Sequence, residues 1–306
     1  MTRKRIILSF IAFCLHVAFF EATGQRMVAG TVLSEGSYPI SREVQYAFDL
    51  RNKTNRLLKK AEFWTYAPVN QTSTQRCAKL EVSCPYEIIT DDLGNQVLYF
   101  RFEDLPPYAT KLIAIKARVE VSDRANPISL SDVQSFLRPE KYIESDHPEI
   151  AGFARRFESD IPRRTAENVF RWVADHIRHT GYLKKCQGAL YALRKRQGDC
   201  TESMCLFTAL CRANKIPARG IGGYVTSESG ILNPSSYHNW AEFYEDGAWR
   251  IGDPQKNVFM EKASQYIAMR IIGDPTGNPM GEHERFRFTG DGLEVIMKAW
   301  TELKGT

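Results

Sequence analysis

The sequence predicts an α+β protein, and three observations carry that prediction. Strand-like alternation fills the chain from about residue 27 to 122. The apolar period then becomes helical between residues 150 and 177, and short strands return from residue 218 onward. With 306 residues, 43% of them apolar and 25% charged, the chain has length for two domains with cores of their own.

The elements are taken in order. Arg3, Lys4 and Arg5 precede an apolar run from Ile6 to Phe20, and Ala22-Thr23-Gly24 supplies small residues after it. That order of parts reads as a secretory signal over residues 1–25, too short in its apolar core for a stable membrane span; an uncleaved anchor is the competing reading. The expected location is therefore exported, periplasmic or extracellular. Residues 26–125 read as a small β-sandwich. Val44 to Leu50, Val97 to Phe102 and Leu112 to Val121 alternate, and Asp92-Leu93-Gly94-Asn95 and Pro106-Pro107 turn the chain between them. Asn52-Lys53-Thr54 and Asn70-Gln71-Thr72 match the glycosylation acceptor pattern. Polar residues 123–145 mark a boundary, and residues 140–306 read as the second, catalytic domain. There Ile150, Phe153, Ala154 and Phe157, then Ala166, Val169, Phe170, Val173 and Ile177, have helical spacing. Strands are expected at 218–225, 238–245 and 248–252, and a last hairpin at 286–288 and 293–296 around Gly290-Asp291-Gly292.

The chemistry concentrates in two segments. In Gly198-Asp199-Cys200-Thr201-Glu202, Asp199 is a favoured helix N-cap and Glu202 completes a capping box, with Asn214 and Pro217 marking the stop. Cys200 then stands in the first helical turn, where free N–H groups and the helix dipole favour a thiolate, so its pKa is expected to fall. In the second segment, Asp246-Gly247 signals a two-residue hairpin between His238–Glu245 and Ala248–Asp253. That register puts Glu245 opposite Ala248 and Trp240 opposite Asp253, with His238 diagonal to Asp253 on one face. A one-residue slip would separate them. Cys200 as nucleophile, His238 as proton carrier and Asp253 as the holder of the imidazole make a complete acyl-transfer set. The Cys200 N–H is one oxyanion donor, and Trp240 and Tyr182 are the candidates for another.

These motifs resemble the bacterial transglutaminase-like superfamily. The resemblance spans about residues 140–260 and lies in Gly198-Asp199-Cys200, Ile216-Pro217-Ala218-Arg219, Gly222-Gly223-Tyr224-Val225, His238-Asn239-Trp240-Ala241-Glu242 and Trp249-Arg250-Ile251-Gly252-Asp253-Pro254. It implies a papain-like transglutaminase core preceded by the sandwich and a Cys200–His238–Asp253 triad; no cofactor is expected.

Other residues read more plainly. His176 and His179 share a helix face without further ligands, so no metal is expected. His147 and His283 read as surface, and Arg219 as an ion-pair residue. Removing three cations and one anion with residues 1–25 lowers the formal charge from +5 to +3, too mild for nucleic acid. Cys77 and Cys84 form an expected disulfide in an oxidising compartment, while Cys186, Cys205 and Cys211 read as buried thiols, with a pairing of Cys186 left open. The expected function is an exported cysteine enzyme that opens an amide of a protein or peptide through a thioester, cell-envelope peptides among its substrates. A cross-linking transglutaminase and a non-catalytic binding module are the alternatives.

Overall fold

A computed structural model describes residues 36–130, 132–273, 277–281 and 284–298. The export signal expected over residues 1–25 and His283 lie outside the described residues. Strands β1 (Ile40–Asn52), β2 (Leu58–Ala67), β3 (Gln75–Val82), β4 (Glu87–Thr90), β5 (Gln96–Leu105) and β6 (Thr110–Val121) come first. Helices α1 (Pro148–Ala154), α2 (Pro162–His176), α3 (Ala189–Lys195) and α4 (Cys200–Ala213) follow, with short strands β7 (Arg178–His179) and β8 (Gln197–Gly198) among them. Next come β9 (Ala218–Val225), β10 (Gly230–Ile231), β11 (Tyr237–Glu245), β12 (Ala248–Asp253) and β13 (Val258–Phe259). The last strands are β14 (Tyr266–Ile272), β15 (Phe286–Thr289) and β16 (Leu293–Met297).

The alternation of the first third builds a two-sheet sandwich. One sheet runs β10-β1-β6-β3 with β16 also on β1, and the other runs β15-β2-β5-β4. Ile113, Ile115, Ala117, Val119 and Val121 of β6 all point inward at every second position. Phe48, Phe63 and Phe100 meet between the sheets, with ring centroids 4.9 and 5.7 Å apart along that row. Strands β15 and β16 do not form the expected hairpin. Strand β15 pairs with β2 and β16 with β1, on opposite sheets. The reason is edge satisfaction: the two segments cover two open edges, where a hairpin would cover one at most. The parallel pairing of β10 with Val44 and Gln45 covers a further stretch of β1.

One sequence expectation fails in this sandwich, and one pattern match carries no acceptor. Cys77 and Cys84 are free thiols, seven residues apart along extended chain that includes most of β3, a separation of roughly 20 Å that no disulfide can span. Asn52 is buried rather than presented as an acceptor, and its Nδ2 donates to the carbonyls of Arg56, Leu105 and Pro106.

A separate five-stranded sheet, β13-β12-β11-β9-β14, carries α4 packed against β11 and β9. Every residue of α4 from Glu202 to Arg212 is buried, because α1, α2 and α3 surround the faces the sheet leaves open. The outer edge of β14 is closed by side chains of the sandwich. Gln75 accepts from the Ala268 N–H (2.8 Å) and donates to its carbonyl (2.9 Å), and Asn95 does the same for Ile271 (2.6 and 3.0 Å). Each amide supplies the two bonds a neighbouring strand would make. Among the described residues no helix is long and apolar enough to cross a membrane.

Candidate active site

Helix α4 begins where the sequence expects. Asp199 caps it, accepting from the Thr201 N–H at 2.7 Å, and Glu202 Oε2 accepts from the Asp199 N–H at 3.0 Å. Gly198 is required by that turn, since a Cβ there would lie 2.4 Å from Glu202 Cβ. The loop before α3 is stitched to the same corner, with the Leu183 N–H on Asp199 Oδ2 and the Gln187 N–H on Glu202 Oε1. Cys186 of that loop shares a hydrogen bond with the Cys205 thiol, and both are free cysteines. Burial pushes the Glu202 carboxyl up to about 7.

Cys200 is thus the first residue of a rigid, fully capped helix. Its sulfur accepts a hydrogen bond from the backbone N–H of Asn239, the residue after His238. The Asn239 side chain donates to Thr201 Oγ1 at 2.9 Å, pinning β11 to the helix start. Burial pushes the Cys200 thiol up to about 11, with Asp199 and Asp253 adding to the rise and the Asn239 and Thr201 hydrogen bonds opposing it. The expected fall in its pKa is therefore reversed: desolvation exceeds the help of the helix start.

The hairpin has the register read from its Asp-Gly turn. Glu245 faces Ala248, Tyr244 faces Trp249 and Ala241 faces Gly252. Asp246 and Gly247 have φ of 49° and 77°, as a type I′ turn demands. His238 Nε2 lies 2.7 Å from Asp253 Oδ2, with both side chains buried. Tyr266 of β14 donates its hydroxyl to the same Oδ2 at 2.9 Å, and the Lys256 N–H reaches Oδ1 at 3.2 Å. Trp240 lies beside the His238 ring at 6.4 Å and 21°, and meets Tyr266 edge-on at 5.0 Å.

The two further donor candidates differ. Trp240 is 1% exposed and its Nε1 is buried without a partner, whereas Tyr182 is 85% exposed and stands in solvent. His176 and His179 do not share a helix face, because α2 ends at His176; His179 lies in β7 and meets Gln255 at 2.7 Å. His147 caps α1 by accepting from the Glu149 N–H. Arg219 pairs with Glu242 at 2.7 Å under the Trp249 ring, a buried structural pair. Among the described residues no cluster of three or more His, Cys, Asp or Glu could hold a metal ion. Sequence reasoning missed Asn239, Lys256 and Tyr266. Asn239 stood inside a quoted motif, but Tyr266 opens an apolar strand with no polar pattern to mark it.

Residues 151–254 match the model of the transglutaminase-like superfamily. That stretch is transglutaminase-like. A candidate cysteine protease from Cytophaga hutchinsonii has a similar structure, with a TM-score of 0.55 and 18% identity over 85% of this chain and 93% of that one. The periplasmic domain of TgpA from Pseudomonas aeruginosa is 14% identical over 69% of this chain and 88% of that one, with a TM-score of 0.38. No curated protein matches the chain by sequence. A transglutaminase-like region with a β-sandwich is the mixed fold expected.

Proposed function

We propose that the protein is an exported cysteine acyl-transfer enzyme that opens amide bonds of proteins or peptides, with Cys200, His238 and Asp253 as its triad. The observation that carries the reading is the buried His238–Asp253 pair, joined through Asn239 to a cysteine at a helix start. Asp253 occupies Nε2, so Nδ1 is the nitrogen left to take the thiol proton. The resting thiol is protonated, because burial and two carboxylates raise its pKa. Attack on a carbonyl carbon then proceeds as His238 accepts that proton, forming the C–S bond while the carbonyl electrons move onto oxygen. The oxyanion is met by the Cys200 N–H, one of four that a helix start leaves without internal acceptors, and the Trp240 Nε1–H is the favoured second donor. Collapse breaks the C–N bond, and His238 returns the proton to the departing amine. Water then cleaves the thioester.

In this reading residues 1–25 are the signal, 26–125 the sandwich and 140–306 the catalytic region, which lends β15 and β16 to the sandwich. Cell-envelope peptides are the substrates that an exported location would offer. The test is mass spectrometry of the protein after an activated amide probe, with water or a primary amine offered to the acyl-enzyme. The expected adduct is on Cys200, released as the acid. Release as an amide would make the enzyme a cross-linking transglutaminase, and adducts on Cys205 or Cys211 in its place would overturn the assignment.

A further inference from the structure

We propose that Tyr266 is a positioning residue for the reaction, holding the Asp253 carboxylate so that Asp253 can orient His238; this rests on the triad reading above. Asp253 is 1% exposed and receives three donors: His238 and Tyr266 on Oδ2, the Lys256 N–H on Oδ1. A buried carboxylate with both oxygens held has one satisfied orientation. The Lys256 bond comes from Asp253's own turn. Tyr266 instead arrives from β14, which is separated from β11 by β9, so it ties the carboxylate to a different part of the sheet. Its hydroxyl is a dependable donor, because burial and the Asp253 carboxylate hold its pKa well above the usual tyrosine value. Sharing Oδ2 with His238 also disperses the carboxylate charge and sets the ring that must present Nδ1 to the thiol. The charged and titratable neighbours acting on this network are Asp199 before α4, Tyr237 at the start of β11 and Glu261 ahead of β14.

A tyrosine that merely fills the core would have other consequences, and Tyr46 provides the comparison. It too is buried, and its hydroxyl donates to the Tyr66 carbonyl at 2.9 Å, inside the sandwich. Tyr266→Phe keeps the ring against Trp240 and removes only the donor. The experiment measures the rate of Cys200 alkylation by iodoacetamide between pH 5 and 11, with the Cys200 peptide read by mass spectrometry and Tm measured in parallel. The full chain is used as wild type, Tyr266→Phe, Tyr46→Phe and His238→Ala. The wild type should show a His238-dependent limb near neutral pH and a second rise toward pH 11, where the thiol ionises unaided. Tyr266→Phe should lower the neutral limb about tenfold, as loss of one hydrogen bond to a charged group implies, while the alkaline rise stays. Tyr46→Phe should lower Tm and leave the profile alone. A Tyr266→Phe profile that superposes on wild type would overturn the positioning role and leave the triad standing. A neutral limb that survives His238→Ala, or is missing from wild type, would overturn the triad reading and this proposal with it.

Discussion

The Cys200 thiol is subject to two opposing influences. A helix N-terminus stabilises an anion by about 0.3–1 kcal/mol, less than one pKa unit. Burial of an ionisable group shifts it by several units, and here it dominates, raising the thiol to about 11. The thiol therefore keeps its proton at neutral pH unless His238 takes it. His238→Ala should move the onset of alkylation from near neutral pH toward 11, checked by the rate of iodoacetamide labelling against pH. Cys200→Ala should abolish turnover and labelling at that peptide while Tm changes by only a few degrees; a large drop in Tm would mark the cysteine as packing rather than chemistry. Asp253→Asn should cut the rate and leave some thiol reactivity, since an amide can still hold the ring but in a weaker and ambiguous tautomeric state.

At the scale of elements, the capping box and the hairpin were legible because each depends on local chemistry. Asp199 with Glu202 fixes where α4 begins, and Asp246-Gly247 fixes which residues of β11 and β12 face each other. What was not legible depends on partners far along the chain. The expected β15–β16 hairpin failed because two open strand edges, more than two hundred residues earlier, compete for the same backbone groups. Tyr266 was invisible for the same reason: its acceptor lies on another strand. The Glu202 carboxyl gives the helix start a testable pH response. Between its unperturbed value of 4.5 and its folded value of about 7, only the folded chain holds the proton. This contribution to stability is complete below about 4.5 and is lost as pH rises through 7. Glu202→Gln should flatten the slope of Tm between pH 4.5 and 7, whatever it does to Tm itself. The amide closure of β14 is likewise measurable: Gln75→Ala orphans the buried Ala268 N–H and should cost about 2 kcal/mol in a denaturant titration.

For the whole molecule, β1 is the strand on which the architecture converges. It pairs with β6 along its length, then with β10 through Val44 and Gln45, and with β16 from Phe48 to Asn52. Its sequence neighbours are therefore a minority of its final partners. A ribosome delivers β1 nearly 250 residues before β16, so one edge of that strand must wait, unpaired, until almost the entire described chain has been made. The residues from β2 to β15 are made in the interval, between two strands of one sheet. Completion of the sandwich is consequently a late event with high contact order. A chain stopped after Met280 lacks β16 and leaves Phe48 to Asn52 of β1 without that partner strand.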